Sequence, residues 1–114
     1  MLGMRPKTEE IVKRSLRVIP GGVNSPVRSF GGLGLTPLIV ERGAGDLIWD
    51  ADGHEYIDYC GSWGALILGH APEPVVKAAS AQVAMSSSFG IATRVETELA
   101  EKIVGLIPSI EKIR

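Results

Sequence analysis

Glycine and proline divide this chain into short pieces. The 14 glycines and 7 prolines gather at Pro20-Gly21-Gly22, at Gly31-Gly32 with Gly34, at Gly43-Ala44-Gly45, along Gly61 to Gly69, and at Pro72-Glu73-Pro74. Proline cannot continue a hydrogen-bond ladder, and glycine admits backbone angles that other residues resist. No long helix or long strand can cross these points, so the fold must be assembled from short elements joined by turns. The clusters show no fixed period, which excludes a solenoid or propeller.

Between the clusters the apolar periodicity changes character. Ile11, Val12, Leu16 and Ile19 recur at helical spacing behind Thr8, Glu9 and Glu10, which predicts an amphipathic helix over 8–19 with Thr8 as its N-cap. Val23 to Thr36 carries no sustained period and reads as a loop that crosses a surface or lines a cleft. Pro37 to Arg42, Leu47 to Asp50 and Glu55 to Cys60 are short β-prone stretches, and Asp52-Gly53 between the last two is a strong hairpin signal. These predict a three-stranded antiparallel meander. Gly61 to Gly69 reads as a close-packed apolar connection. Val75, Val76, Ala79 and Val83 follow Pro74 at helical spacing up to about Met85, and Val95, Leu99, Ile103 and Leu106 follow the capping-box pattern Thr93-Arg94-Val95-Glu96. The expected class is therefore α+β: an N-terminal helix, the meander and two further helices. The expected division is 1–36, 37–70 and 71–114. Ser109 to Arg114 reads as the approach to another element, so the sequence is expected to be a piece of a longer chain.

Charge and composition exclude several functions. Twelve basic residues against thirteen acidic ones leave a net charge of -1, which gives no electrostatic basis for binding nucleic acid or an anionic membrane. No apolar run approaches the roughly 20 residues that span a bilayer, and Met1 to Glu10 lacks a secretory apolar stretch, so the chain reads as cytoplasmic. Cys60 is the lone cysteine; it can form no internal disulfide and, among apolar and aromatic neighbours, reads as core filling. His54 and His70 sit in no cluster with metal-ligand spacing. A chain of 114 residues carrying this much helical apolar surface is expected to be marginally stable and to self-associate when isolated.

One stretch is more specific. Pro20-Gly21-Gly22-Val23-Asn24-Ser25-Pro26-Val27-Arg28-Ser29-Phe30 resembles the N-terminal signature of the glutamate-1-semialdehyde aminomutases, a family of class III aminotransferase-like, fold type I pyridoxal-phosphate enzymes. Asp50-Ala51-Asp52-Gly53, Tyr56-Ile57-Asp58-Tyr59-Cys60-Gly61-Ser62-Trp63-Gly64 and Leu68-Gly69-His70-Ala71 continue the resemblance in order. Ser88-Phe89-Gly90, Leu99-Ala100-Glu101 and Pro108-Ser109-Ile110-Glu111 extend it to the end of the chain. Ala65, Pro72-Glu73 and Ile91-Ala92 depart from the family's usual residues, each in or beside a connection.

The resemblance implies part of the small domain of such an enzyme. It implies pyridoxal 5'-phosphate and pyridoxamine 5'-phosphate as cofactors of the full-length enzyme, a homodimer, and glutamate-1-semialdehyde as the small-molecule substrate converted to 5-aminolevulinate. The phosphate-binding loop, the aspartate at the pyridine nitrogen and the Schiff-base lysine of the family fall beyond Arg114, so this chain alone is expected to hold no cofactor and to be inactive. It also assigns roles to three residues. Arg28, by its residues alone a solvated loop arginine, corresponds to the arginine that binds the substrate carboxylate, a task suited to the rigid guanidinium fork. Ser25 is a turn-forming Ser-Pro serine or a hydrogen-bonding partner of the substrate. Trp63, which would otherwise read as a core aromatic, corresponds to a wall of the substrate pocket. Asp50, Asp52 and Asp58 read as turn and strand-edge residues, and His70 as a hydrogen-bonded structural histidine. Two other functions remain open on the residues: a related class III transaminase acting on an ω- or β-amino acid, and a non-catalytic interaction module.

Overall fold

The structure, a computed structural model, describes residues 4–114. Its elements follow in the order α1 (Pro6–Val18), β1 (Val40–Ala44), β2 (Leu47–Asp50), β3 (Glu55–Ile57), α2 (Glu73–Ala84) and α3 (Arg94–Leu106). The contacts divide the chain into two compact units, one reaching to Val76 and the other Lys77–Arg114. The expected α+β class is the one observed.

In the first unit the meander forms as expected, with strand order β1-β2-β3 and both pairings antiparallel. The β2–β3 turn is closed by the Gly53 N–H donating to the Asp50 carbonyl at 2.9 Å, with Gly53 at φ +88°, a conformation that favours glycine. The first strand begins later than the pattern suggested. Pairing passes from Val40↔Asp50 to Arg42↔Trp49, so two residues of β1 oppose one of β2, a bulge that absorbs Glu41. Outside the bulge Arg42 lies over the Trp49 ring at 3.5 Å from its centroid, a cation–π contact.

The N-terminal helix is capped differently from expectation. Pro6 occupies its first position, and Thr8 lies inside the first turn, fully buried, with its hydroxyl unpartnered among the described residues. The free N–H groups of Lys7 and Thr8 instead donate to Asp52, at 2.8 Å to Oδ1 and 2.9 Å to Oδ2. The cap thus comes from a residue more than forty positions away, on the β2–β3 turn. A carboxylate suits that place because it meets both the orphan donors and the positive end of the helix dipole.

The loop after α1 consists of three short 3₁₀ turns, Pro20–Gly22, Pro26–Ser29 and Gly31–Leu33. Each begins at a proline or a glycine, as the punctuation of the sequence requires. In the second unit α3 starts at Thr93, but the two cap side chains bond each other, Thr93 Oγ1 to Glu96 Oε1 at 2.9 Å, and the reciprocal backbone bonds of the box are not made. Arg94 pairs with Glu98 one turn on.

Burial is scant. Among the described residues the buried ones are Thr8, Asp50 and Ala51, so the chain covers little of the apolar surface its helices carry. Val75, Val76 and Val83 on α2, and Val95, Leu99 and Leu106 on α3, are all exposed.

Candidate functional site

The expected site residues lie in the first unit, and two of them, Arg28 and Trp63, line an open cleft of about 750 Å³. Arg28, Phe30, Val40, Ile48, Trp63 and His70 are among the residues that line it, together with Asp58, Cys60 and Ser62. Arg28 is carried by the Pro26–Ser29 turn. That turn is held by the Arg28 N–H donating to the Ser25 carbonyl at 2.9 Å and by the Ser29 hydroxyl donating to the Pro26 carbonyl at 2.7 Å. Ser25 stands at the head of the turn in extended conformation. It bears on Arg28 through its backbone and is not among the lining residues.

Trp63 reaches the cleft from an unusual backbone. Gly61, Ser62, Trp63 and Gly64 have φ of +50°, +51°, +61° and +92°, four consecutive residues in the left-handed region. Glycine enters it freely, whereas Ser62 and Trp63 each incur strain on the order of 1–3 kcal/mol. Trp63 is 74 % exposed, so it is not the core aromatic its residue type suggests. Tyr59, Ile67 and Leu68 are exposed too, and the connection expected to be close-packed is an open loop. Cys60 likewise is exposed rather than core filling.

Two carboxylates organise the surroundings. Asp50, only 2 % exposed, takes the Asp52 and His54 N–H groups on Oδ1 at 3.0 and 2.8 Å. Its Oδ2 takes the Tyr56 hydroxyl at 2.8 Å and the His54 ring Nδ1 at 3.0 Å. Burial alone would raise its pKa, but these donors outweigh burial and hold it down at about 2. Burial and then the bond to Asp50 raise the Tyr56 hydroxyl. Asp58 accepts His70 Nε2 on Oδ2 at 2.7 Å, and the Cys60 and Gly61 N–H groups on Oδ1 at 2.9 and 3.1 Å. The His70 bond and then the two backbone donors lower its pKa. An ionised carboxylate only accepts, so Nε2 of His70 carries the proton. His70 is thus hydrogen-bonded, as its setting in the sequence suggested. Sequence reasoning missed its partner: twelve residues separate the two, and no local period marks such a pair.

Chemically, the lining offers one fixed cation, Arg28, an aromatic face at Trp63 and an apolar floor from Val40 and Ile48. That set suits a small molecule with a carboxylate at one end. None of the lining residues is a lysine, so none offers an amine to condense with a pyridoxal aldehyde. No group of acidic, histidine or cysteine residues suited to a metal occurs among the described residues, and none of the described helices is long and apolar enough to cross a membrane.

Comparison with known proteins places this fold in a class. Residues 32–114 match the family model of the class-III aminotransferases, and the chain belongs to that family. Its fold is that of part of the small domain of fold type I pyridoxal-phosphate transaminases. One such structure, a transaminase with pyridoxal phosphate bound, superposes with a TM-score of 0.85 at 34% identity, over 96% of this chain and 25% of its own. Within the family the chain is 48% identical to the glutamate-1-semialdehyde 2,1-aminomutase of Aquifex aeolicus over 95% of its length and 26% of that enzyme's. It is 57% identical to that of Chloroflexus aurantiacus over 85% of its length and 22% of that enzyme's. The chain spans about a quarter of the length of the curated relatives it matches.

Proposed function

We propose that this chain forms one wall of the substrate cleft of a glutamate-1-semialdehyde 2,1-aminomutase, an enzyme that moves the amino group of (S)-4-amino-5-oxopentanoate from C4 to C5 to give 5-aminolevulinate. The observation that carries the reading is the meeting of Arg28 and Trp63 in one cleft where Arg28 is the fixed cation. The substrate is a short chain with a carboxylate at the end remote from the reacting carbons. Guanidinium grips that end bidentately, Trp63 bounds the methylene stretch, and the reacting end is left pointing away from this wall. Pyridoxal phosphate, when bound to the whole enzyme, supplies the electron sink for amino transfer. In this reading the residues of this chain bind and orient, and proton transfer at the reacting carbons falls to the rest of the enzyme. Identity to named aminomutases near one half supports the substrate class, and a cytoplasmic homodimer belongs to the same reading.

The test is a chimera in which this chain replaces the matching segment of the Chloroflexus aurantiacus enzyme. It is expected to convert the semialdehyde, and Arg28→Ala within it to lower kcat/KM tenfold to a few hundredfold, since charge-assisted hydrogen bonds contribute about 1.5–3 kcal/mol each. Arg28→Lys keeps the charge but loses the fork and falls between the two. Unchanged kcat/KM in Arg28→Ala would remove the carboxylate assignment. A second reading, an ω- or β-amino-acid transaminase, draws on solved neighbours named as an omega-transaminase and a β-phenylalanine aminotransferase. It requires an ω- or β-amino acid, and not the semialdehyde, to be the donor that the same chimera turns over well.

A further inference from the structure

The left-handed turn at Gly61–Gly64 raises a question that the cleft alone does not answer. Ser62 and Trp63 hold a backbone conformation that L-residues avoid, and Trp63 is too exposed to be kept there by its own packing. Strain of this kind persists only where the surroundings over-determine it. The loop's own bonds, Trp63 N–H to the Cys60 carbonyl at 2.9 Å and Leu66 N–H to the Gly61 carbonyl at 3.0 Å, act within it, and what anchors it to the rest of the fold lies at its ends.

Both ends converge on Asp58. At the entry its Oδ1 takes the N–H groups of Cys60 and of Gly61, the first of the left-handed residues. At the exit its Oδ2 takes the His70 ring at 2.7 Å. His70 is itself fastened to the sheet margin by two backbone bonds with Gly45, at 3.0 and 2.7 Å. Asp58 in turn donates its N–H to the Asp46 carbonyl at 2.8 Å. The ring is backed by β1: a Cβ on Gly43 would stand 2.5 Å from the His70 Cγ, so only glycine lets imidazole lie against the strand. A single carboxylate therefore closes the loop that carries Trp63 and ties it to the β1–β2 turn.

We propose that Asp58 and His70 are positioning residues, a clamp that sets the left-handed Gly61–Gly64 turn and so holds Trp63 in the cleft that Arg28 lines. The value of the clamp for substrate rests on the reading of Trp63 as a substrate wall. The clamp itself does not, and the two are tested separately.

The chain provides an internal control, because its two tryptophans report different places: Trp49 lies on β2 under Arg42, and Trp63 on the loop. In ¹⁵N-edited NMR of the 114-residue chain, the His70 ring is expected in the Nε2–H tautomer. In Asp58→Ala the Trp63 indole resonance is expected to shift toward that of an unstructured tryptophan. The Cys60 and Gly61 amides should exchange at least tenfold faster, while the Trp49 indole resonance stays in place. His70→Leu reproduces the Trp63 change, and His70→Gln, whose amide can reach the same carboxylate, restores it in large part. Trp63 and the two amides unchanged in Asp58→Ala with Trp49 intact would overturn the clamp. So would loss of both indole resonances together in all three variants, because the pair would then support the sheet and not the loop.

The kinetic arm uses the chimera. Asp58→Ala should raise KM for the semialdehyde several-fold more than it lowers kcat, and Trp63→Ala added to it should contribute nothing further, since the two act as one unit. Additive effects would overturn the link from Asp58 to Trp63. An unaltered KM in Trp63→Ala with the NMR response intact would leave the clamp standing and remove Trp63 from the substrate wall.

Discussion

Replacing Asp50 by asparagine separates charge from shape at the buried carboxylate of the first unit. Asparagine fills the same space; its oxygen can accept the Asp52 and His54 N–H groups, and its amide can donate to the Tyr56 oxygen. What disappears is the negative charge on which four donors converge. A carboxyl held from its ordinary 3.8 down to about 2 binds its proton less readily in the folded state than in the unfolded chain, so the unfolded state takes up protons first as the pH falls. Its contribution is therefore complete above pH 4 and lost as the pH falls through about 2. At 1.36 kcal/mol per pKa unit that contribution is about 2 kcal/mol. Urea unfolding followed by Trp49 fluorescence at a series of pH values measures it. Wild-type stability should decline steeply between pH 4 and 2, while Asp50→Asn should start about 2 kcal/mol lower at pH 7 and decline less over the same interval. The depressed Asp52 and Asp58 carboxyls leave it some residual slope. Equal stability at pH 7 with parallel pH profiles would refute the reasoning.

Other substitutions test other joints of the fold. Asp52→Ala removes the distant cap of α1 and should lower far-UV helicity and the urea midpoint, with Asp52→Asn intermediate, because an amide oxygen still accepts but carries no charge for the helix dipole. Gly43→Ala drives a methyl into the His70 ring and should cost about 1–3 kcal/mol as overpacking. Gly32→Ala, which meets nothing within 4 Å, should be neutral or stabilising by roughly 0.4–1 kcal/mol. Both are read by thermal melting. The apolar surface left open on α2 and α3 should make the isolated chain associate, so sedimentation velocity should show mass rising with concentration; a strict monomer at all concentrations would count against it.

The sequence by itself determined the elements and their order. Clustered glycine and proline set the breaks, Asp52-Gly53 set the hairpin, and helical spacing set α2 and α3, because these signals act over a few residues and require no knowledge of what lies across the fold. The turn that carries Arg28 is closed by its own neighbours, Ser25 and Pro26, but a carboxylate-binding role for Arg28 came only from the resemblance of its motif, since by residue type it reads as a solvated loop arginine. Only the tertiary structure decided which partners meet. Thr8 had the residue type of a cap and Asp52 that of a turn, yet Asp52 caps the helix. Cys60 and Trp63 had the hydrophobicity of core residues, yet both stand at an open cleft. Nor did any pattern announce that Asp58 and His70 close one loop. Such pairings depend on how separate elements come to lie together, and at separations of twelve to forty-five residues no local period encodes that geometry.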